Sequence, residues 1–384
     1  MEYTNIKSIN EYVSETINPM NTPDTIFEMY SVPIYDTGHP EYLRGDEIAS
    51  NKIVVRKNDI LLCKINPRIN RVWIVANESE HLNIASSEWI VIRSEKYNPQ
   101  FLAWYFRSPK FKQLMVSEVT GIGGSLTRAQ PKAVAKYPVP VLTRTEQDSI
   151  ASVLNQTASI INARKQELSY LDELIKARFV EMFGNAKENN RGWQTENLDD
   201  LFEISSSKRI LKSEWKDIGI PFLRVRDMVQ LAEFGKIDNE FFVSEEFYST
   251  LSDSDGVPMS GDVLVSATST LGKCHIVQGG ERFYYKDADV LRFRPKKEIN
   301  ARYFVEAIKT NYVIDQINRT LGVTTVSHFT IKAAKKIFLR VPPMELQQQF
   351  EAFWNQVDKS KVVVQKALDE DQLLFDSLMQ KYFG

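Results

Sequence analysis

The sequence predicts an α+β fold used twice: two homologous mixed α/β domains separated by two long helices that form an antiparallel coiled coil, with an internal pseudo-two-fold repeat. Three observations predict it. The chain ends "LFDSLMQKYFG" after running through "ELIKARFVEMFG" near its midpoint. Each copy closes roughly 40 residues of helix-forming sequence almost free of Gly and Pro, entered through a Pro-rich lead-in, "YPVPVLTRTEQ" or "FLRVPPMELQQ", that excludes helix before it. Further upstream, "IVIRS" near Arg93 faces "LRFRP" near Arg294, "NPQFLAWYF" at Asn98 faces "NARYFVEAI" at Asn300, and "KNDILLCK" at Asp59 faces "SGDVLVSA" at Asp262. The offsets of these pairs, 201, 202 and 203 residues, differ only by what small loop gaps would cause. A period of about 200 residues is too long for a solenoid, and each half can bury its own core.

The expected division is a first domain at 1–142, a helix at 143–184, a second domain at 185–342 and a second helix at 343–384. In the first domain "KIVVRKNDILLCKI", "NRVWIVA" and "EWIVIRS" read as strands. "PQFLAWYFRSPKFKQLMVSE" then spaces Phe101, Leu102, Tyr105, Phe106 and Leu114 as one helix, broken by glycine at "TGIGGSLTRAQ". The second domain repeats this order with "DVLVSA", "KCHIVQ" and "DVLRFRP", the helix "ARYFVEAIKTNYVIDQIN" and the polar turn "TLGVTTVSH".

In the first long helix Leu154, Ile161, Leu168, Ile175 and Met182 recur every seven residues, with Leu171 at a d-type position. A repeat of 3.5 residues per turn asks for a partner helix along its length. "TEQD" at 145–148 fits the helix start as a capping pattern. Val357, Val364, Leu368, Phe375, Leu378 and Tyr382 form a comparable stripe in the second helix, weakened by Lys361 and Asp371. Pairing the two helices antiparallel is the economical arrangement; the alternative is that each packs on its own domain.

The composition, 384 residues with 43% hydrophobic and 26% charged, is that of an ordinary soluble protein of two to four domains. The N-terminus has no apolar signal region, and no uncharged apolar stretch is long enough to span a bilayer, so a cytoplasmic location is expected. Cys63 and Cys274 suggest a reducing compartment rather than a disulfide or metal site. The net charge of −2 hides a patterned distribution. Lys52, Arg56, Lys57, Lys64, Arg68 and Arg71 oppose one acid in 51–72, and Lys208, Arg209, Lys212, Lys216, Arg224 and Arg226 oppose two in 205–226. Basic patches with a more acidic helical stalk suit polyanion binding by the globular parts; solvated surface charge is the competing reading. Phosphate-loop, dinucleotide and HExxH motifs are absent, the four histidines lack ligand spacing, and "VPPM" is only a helix lead-in. Catalysis by this chain is not expected.

Two repeats, each an α/β domain closing on a "PVPV" or "VPPM" lead-in, a Glu/Gln-rich helix start and a heptad helix ending in Phe-Gly, resemble the specificity (S) subunit of type I restriction-modification systems, the HsdS family. "GDVLVSATSTLGKCHIV" at 261–277 is similar to that family's strand-turn-strand. The first-domain equivalent, "KNDILLCKINPRINRVWIV", lacks its glycines. The resemblance implies a non-catalytic reader of double-stranded DNA with two target recognition domains, each reading half of a bipartite site. Its helices would set the spacer and dock two methyltransferase subunits, and two restriction subunits would complete the nuclease. No cofactor is implied in this chain; the methyltransferase would use S-adenosylmethionine and the restriction subunit ATP and Mg2+. A coiled-coil scaffold without a DNA role and a fragment of a fused restriction/methyltransferase enzyme remain as alternatives.

Arg and Lys suit guanine edges, Asn and Gln suit adenine, and Ser and Thr suit either. In the first domain the DNA-contact candidates are Lys64, Asn66, Arg68, Asn70 and Arg71 in the strand-to-strand turn, with Ser125, Thr127 and Arg128 after the Gly-rich break. In the second they are Ser266, Thr268, Ser269, Thr270 and Lys273, with Thr324, Thr325 and Ser327. Arg224 and Arg226 in "FLRVRDM" alternate onto one strand face and join them. Each competes with the reading of a phosphate contact or a plain surface residue.

Overall fold

A computed structural model describes residues 2–117, 119–120, 127–235, 237, 240–253, 256–267, 272–286, 289–321 and 329–384. The chain divides into two compact units: Met1–Gln166 with Gln365–Gly384, and Glu167–Val364. Each unit therefore takes one stretch of each long helix.

At the centre of the first unit, strand Ile60–Cys63 pairs antiparallel with Val72–Ile74 on one side and Trp89–Ile92 on the other. All four of its residues are buried, because the two-residue period of a strand sends alternate side chains into two cores. Ile60 and Leu62 meet Phe101, Leu102, Tyr105 and Phe106 of the following helix. Leu61 and Cys63 meet Tyr30, Trp73 and Trp89. A five-stranded sheet adds Thr16–Ile17, Lys52–Val54, Leu82–Ala85, Ile26–Tyr30 and Glu41–Arg44 in that order, its one parallel pairing joining Ile26–Tyr30 to Leu82–Ala85. The second unit repeats the central motif: Val263–Ser266 lies between Cys274–Ile276 and Val290–Pro295, and Phe202–Ser205 extends that sheet. Val263 and Val265 enter the core beneath Tyr303 and Phe304, whereas Leu264 enters a separate cluster with Tyr285.

Both globular helices expected to be continuous are broken. The first is Pro99–Arg107 followed by Pro109–Ser117. Pro109 takes the first position of the new helix and forces Ser108 out of helical geometry, to φ −64° and ψ 149°. The second is Ala301–Ala307 followed by Asn311–Leu321. In each case the apolar spacing runs on across the break, so periodicity alone does not reveal it. "KIVVRKNDILLCKI" also resolves into two strands, because Asn58 turns the chain at φ 71°.

The Pro-rich lead-ins form edge strands: Pro138–Pro140 pairs with Tyr3–Asn5, and Phe338–Val341 with Gln194–Asn197. The long helices follow as Arg144–Phe183 and Met344–Phe383, 40 residues each. The capping pattern sits two residues earlier than expected. Thr143 Oγ1 accepts the Glu146 N–H at 3.3 Å and Glu146 accepts the Thr143 N–H at 2.8 Å, leaving "TEQD" inside the first turn.

In the first unit Ala151 and Leu154 of the first long helix share a core with Met379 and Phe383 of the second, and Arg164 faces Asp371 at 3.4 Å. In the second unit Ile175, Phe179 and Phe183 share a core with Phe350 and Val357, and Lys361 faces Asp172 at 2.7 Å. The two charges that weaken the apolar stripe are thus each neutralised by the facing helix. Both closing phenylalanines are buried: Phe383 lies 5.7 Å from the rings of Phe101 and Tyr105, and Phe183 lies 4.9 Å from Tyr303. Gly184 follows at φ 77°, where a Cβ would strike the Asn190 side chain.

Phe383→Ala removes a ring from the first unit's core and is expected to destabilise that unit by about 3–5 kcal/mol. Native-state hydrogen exchange checks this, with protection falling in 2–117 and persisting in 198–223.

Candidate nucleic-acid interface

A hairpin with the same root is present in both units. Asp59, 1% exposed, accepts the Arg56 N–H at 2.8 Å and receives a two-point bond from Arg93, Nε to Oδ1 at 2.7 Å and Nη2 to Oδ2 at 2.6 Å. Asp262, also 1% exposed, accepts the Met259 N–H at 2.8 Å and both Arg294 donors at 2.9 Å. The fork of a guanidinium matches the two carboxylate oxygens, which is the geometry that a buried charge requires. The Asp59 bond raises the Arg93 pKa above its ordinary value. The main chain repeats as well. Cys63 N–H reaches Arg71 O and Lys64 N–H reaches Glu88 O, as Ser266 N–H reaches Lys273 O and Ala267 N–H reaches Asp289 O. Ala129 N–H then reaches Lys64 O, as Phe329 N–H reaches Ala267 O, so the segment after each break is bound to the end of the hairpin strand.

In the first unit the hairpin tip turns without glycine. Asn66 and Asn70 adopt φ 45° and 53°, the left-handed conformation that asparagine tolerates best among residues with a side chain. Ile69 N–H to Asn66 O and Asn70 N–H to Pro67 O close the turn. Arg68 is exposed at the tip and shares a surface recess with Lys112, Val116, Val119 and Thr127. Lys64 turns back to Ser87 O at 2.7 Å and lies 3.9 Å from Glu88; Arg128 pairs with the same carboxylate at 3.4 Å. Asn70 donates to Phe106 O at 3.0 Å. Its Oδ1 and the Arg71 Nε are buried without a hydrogen-bond partner among the described residues. Of the first-domain candidates, Lys64, Asn66, Arg68, Asn70, Arg71, Thr127 and Arg128 therefore gather around one tip, and Ser125 lies outside the described residues. Lys112 and Glu88 escaped the sequence reading. Lys112 sits in a helix read for its apolar face, and Glu88 is distant from both its partners along the chain.

In the second unit Ser266 is buried at the strand end and Lys273 is exposed where the next strand begins. Thr268, Ser269, Thr270, Thr324, Thr325 and Ser327 lie outside the described residues. Arg224 and Arg226 do not share a strand face. The strand ends at Leu223, and Arg224 caps the helix Val225–Phe234 that contains Arg226. Asp227, buried at the third helical position, accepts the Arg224 N–H and Nε at 3.0 Å each, and so starts a helix where alternation alone suggests a strand. That bond raises the Arg224 pKa, and the guanidinium also stacks 4.5 Å from the Phe241 ring. Arg226 remains exposed at the side of this helix start, 3.5 Å from Asp227.

Among the described residues no cluster of His, Cys, Asp and Glu could hold a metal ion, and no helix is long and apolar enough to cross a membrane. Residues 190–370 match the family model described as type I restriction modification DNA specificity domain. The MjaIX specificity subunit of the type I restriction enzyme of Methanocaldococcus jannaschii is 20% identical over 302 residues, 73% of this chain and 67% of that protein. Residues 190–370 therefore carry a type I restriction modification DNA specificity domain. A Haemophilus influenzae protein named as such a subunit is 24% identical over 219 residues, 53% of this chain and 50% of its own length, so the match spans about half of that relative. The crystal structure of a type I S subunit from M. genitalium has the same fold, with a TM-score of 0.58 at 14% identity, covering 100% of this chain and 96% of that one.

Asp262→Ala leaves Arg294 buried without its carboxylate, and the altered protein is expected to lose about 3–5 kcal/mol in the second unit. Urea denaturation followed by hydrogen exchange at 263–267 measures it; Asp59→Ala should place the same loss in the first unit.

Proposed function

We propose that this chain is the non-catalytic DNA reader of a type I restriction-modification complex, with recognition domains at 1–142 and 185–342 that each read one half of a bipartite, asymmetric site. The single observation that carries the reading is the repeated hairpin, with its Asp–Arg root and its tether to the following segment, in two units whose tip residues differ. Similar scaffolds with different tips suit two half-sites of different sequence. The recess beside Arg68 and Lys112 offers two cations to a phosphate, and Asn66, Asn70 and Arg71 of the same tip are the base-edge candidates. In the second domain Lys273, Arg226 and the Ser/Thr-rich sequences at 268–270 and 324–327 take those roles.

The helices at 143–184 and 343–384 act as an antiparallel coiled coil that sets the spacer. The buried contacts of Leu154, Ile161, Ile175, Val357 and Val364, with half-buried Leu168, Leu171, Met182, Leu368, Phe375, Leu378 and Tyr382, support this. So do the ion pairs at Lys361 and Asp371. Tyr170, Leu174, Val362 and Val363 are exposed on the helix stretches of the second unit, and Leu373 and Leu374 on that of the first; exposed apolar residues on the helices support docking of two methyltransferase subunits there. Those partners bring S-adenosylmethionine, and two restriction subunits bring ATP and Mg2+, in the cytoplasm where the DNA is.

Exchanging 185–342 for the same segment of a relative is expected to change one half of the methylated sequence and leave the other intact, as read by methylome sequencing of cells carrying the partner subunits. A change in both halves, or in neither, would overturn the two-reader assignment. Arg68→Ala should weaken binding to all DNA sequences alike and reduce the slope of log K against log salt by about 1, measured by anisotropy across a salt series.

A further inference from the structure

One neutral glutamine amide joins each globular fold to its long helix. Gln147 and Gln347 are the fourth residues of Arg144–Phe183 and Met344–Phe383, and each is 1% exposed. Gln147 accepts the N–H of Asn98 at 2.8 Å and donates to Leu142 O at 2.9 Å. Gln347 accepts the N–H of Asn300 at 2.9 Å and donates to Pro342 O at 2.8 Å. Asn98 and Asn300 are themselves N-caps, of the helices Pro99–Arg107 and Ala301–Ala307, and the Oδ1 of each takes two N–H groups of the first turn.

A helix start is completed when the cap's own N–H finds an acceptor, ordinarily a Glu or Gln at the third helical position of the same helix. Here that position holds Phe101 or Tyr303, both spent on the core. The long helix supplies the missing acceptor. A second bond reinforces each junction, from Asn98 Nδ2 to Asp148 at 2.6 Å and from Asn300 Nδ2 to Glu351 at 2.7 Å. Glutamine suits the place because one neutral group both accepts and donates. Glutamate would bury a charge and leave the lead-in carbonyl without a donor, and an apolar side chain would leave two buried backbone groups unpaired.

We infer that Gln147 and Gln347 are positioning residues that fix the angle between each recognition domain and its long helix, so that the distance between half-sites is read rigidly. The inference rests on the spacer role proposed above for the helices. The test uses the full chain assembled with its methyltransferase partner, on duplexes that keep both half-sites and carry the natural spacer or one base pair more or fewer. Gln147→Met and Gln347→Met should reduce the preference for the natural spacer about tenfold, the equivalent of one or two buried hydrogen bonds, while base preferences within the half-sites stay unchanged. Asp148→Ala and Glu351→Ala remove only the outer bond at less buried positions and should lower the same preference by about threefold, which keeps the test open if the Met variants fold poorly. Variants that discriminate spacers as well as the parent chain overturn the inference. Spacer and base preferences lost together mark general damage and also overturn it. A parent chain that methylates all spacers equally defeats the spacer role itself.

Discussion

A carboxylate with one per cent of its surface exposed is costly to place at the root of a hairpin unless a cation meets it squarely, and Asp59 and Asp262 each have one. The constraint propagates outward. Because the arginine stands on the neighbouring strand and the carboxylate also holds the N–H of Arg56 or Met259, the hairpin leaves the sheet in one register. A slip of one residue would put the aspartate on the opposite face and exchange the apolar side chains between the two cores that the strand separates. In the first unit the tip at Asn66–Asn70 therefore stands on a base whose register is fixed.

The parts of this architecture legible in the sequence are those that depend on local chemistry repeated at the same spacing. Asp59 against Asp262, Arg93 against Arg294 and Asn98 against Asn300 align because each performs the same bonding in its own unit. The heptad positions are legible because, within each unit, stretches of the two long helices share one apolar core. What could not be seen depends on competition between equally good local signals. "TRTE" and "TEQD" both fit a capping box, and only the observed Thr143–Glu146 bonds decide between them. "FLRVR" alternates like a strand, yet Asp227 beyond it starts a helix. Glu28 gave no sign at all: burial by itself would raise its pKa, but donors from Ser79, Glu78 and Tyr30 outweigh that and hold it below the ordinary value.

The charges in the helix stripe have a use that hydrophobicity scoring misses. A leucine tolerates displacement along a facing helix by one heptad, since another apolar residue waits there. Lys361 and Asp371 do not, because Asp172 and Arg164 each stand at one level. Half-buried ion pairs contribute little to stability by themselves; their value here is to fix axial alignment, as a polar residue does at a seam position.

The first unit's core is closed by residues from the end of the chain: Met379 and Phe383 join Phe101, Tyr105 and Leu154. During synthesis at 5–20 residues per second, the roughly 200 residues that separate Gln166 from Gln365 take about 10–40 s to make. Throughout that interval the nascent first half has no partner for the aromatic surface that Phe383 covers. The second unit, contiguous from Glu167 to Val364, needs nothing translated later. The half made first is therefore the half completed last, and for that time its incomplete core is a surface open to chaperones and to aggregation.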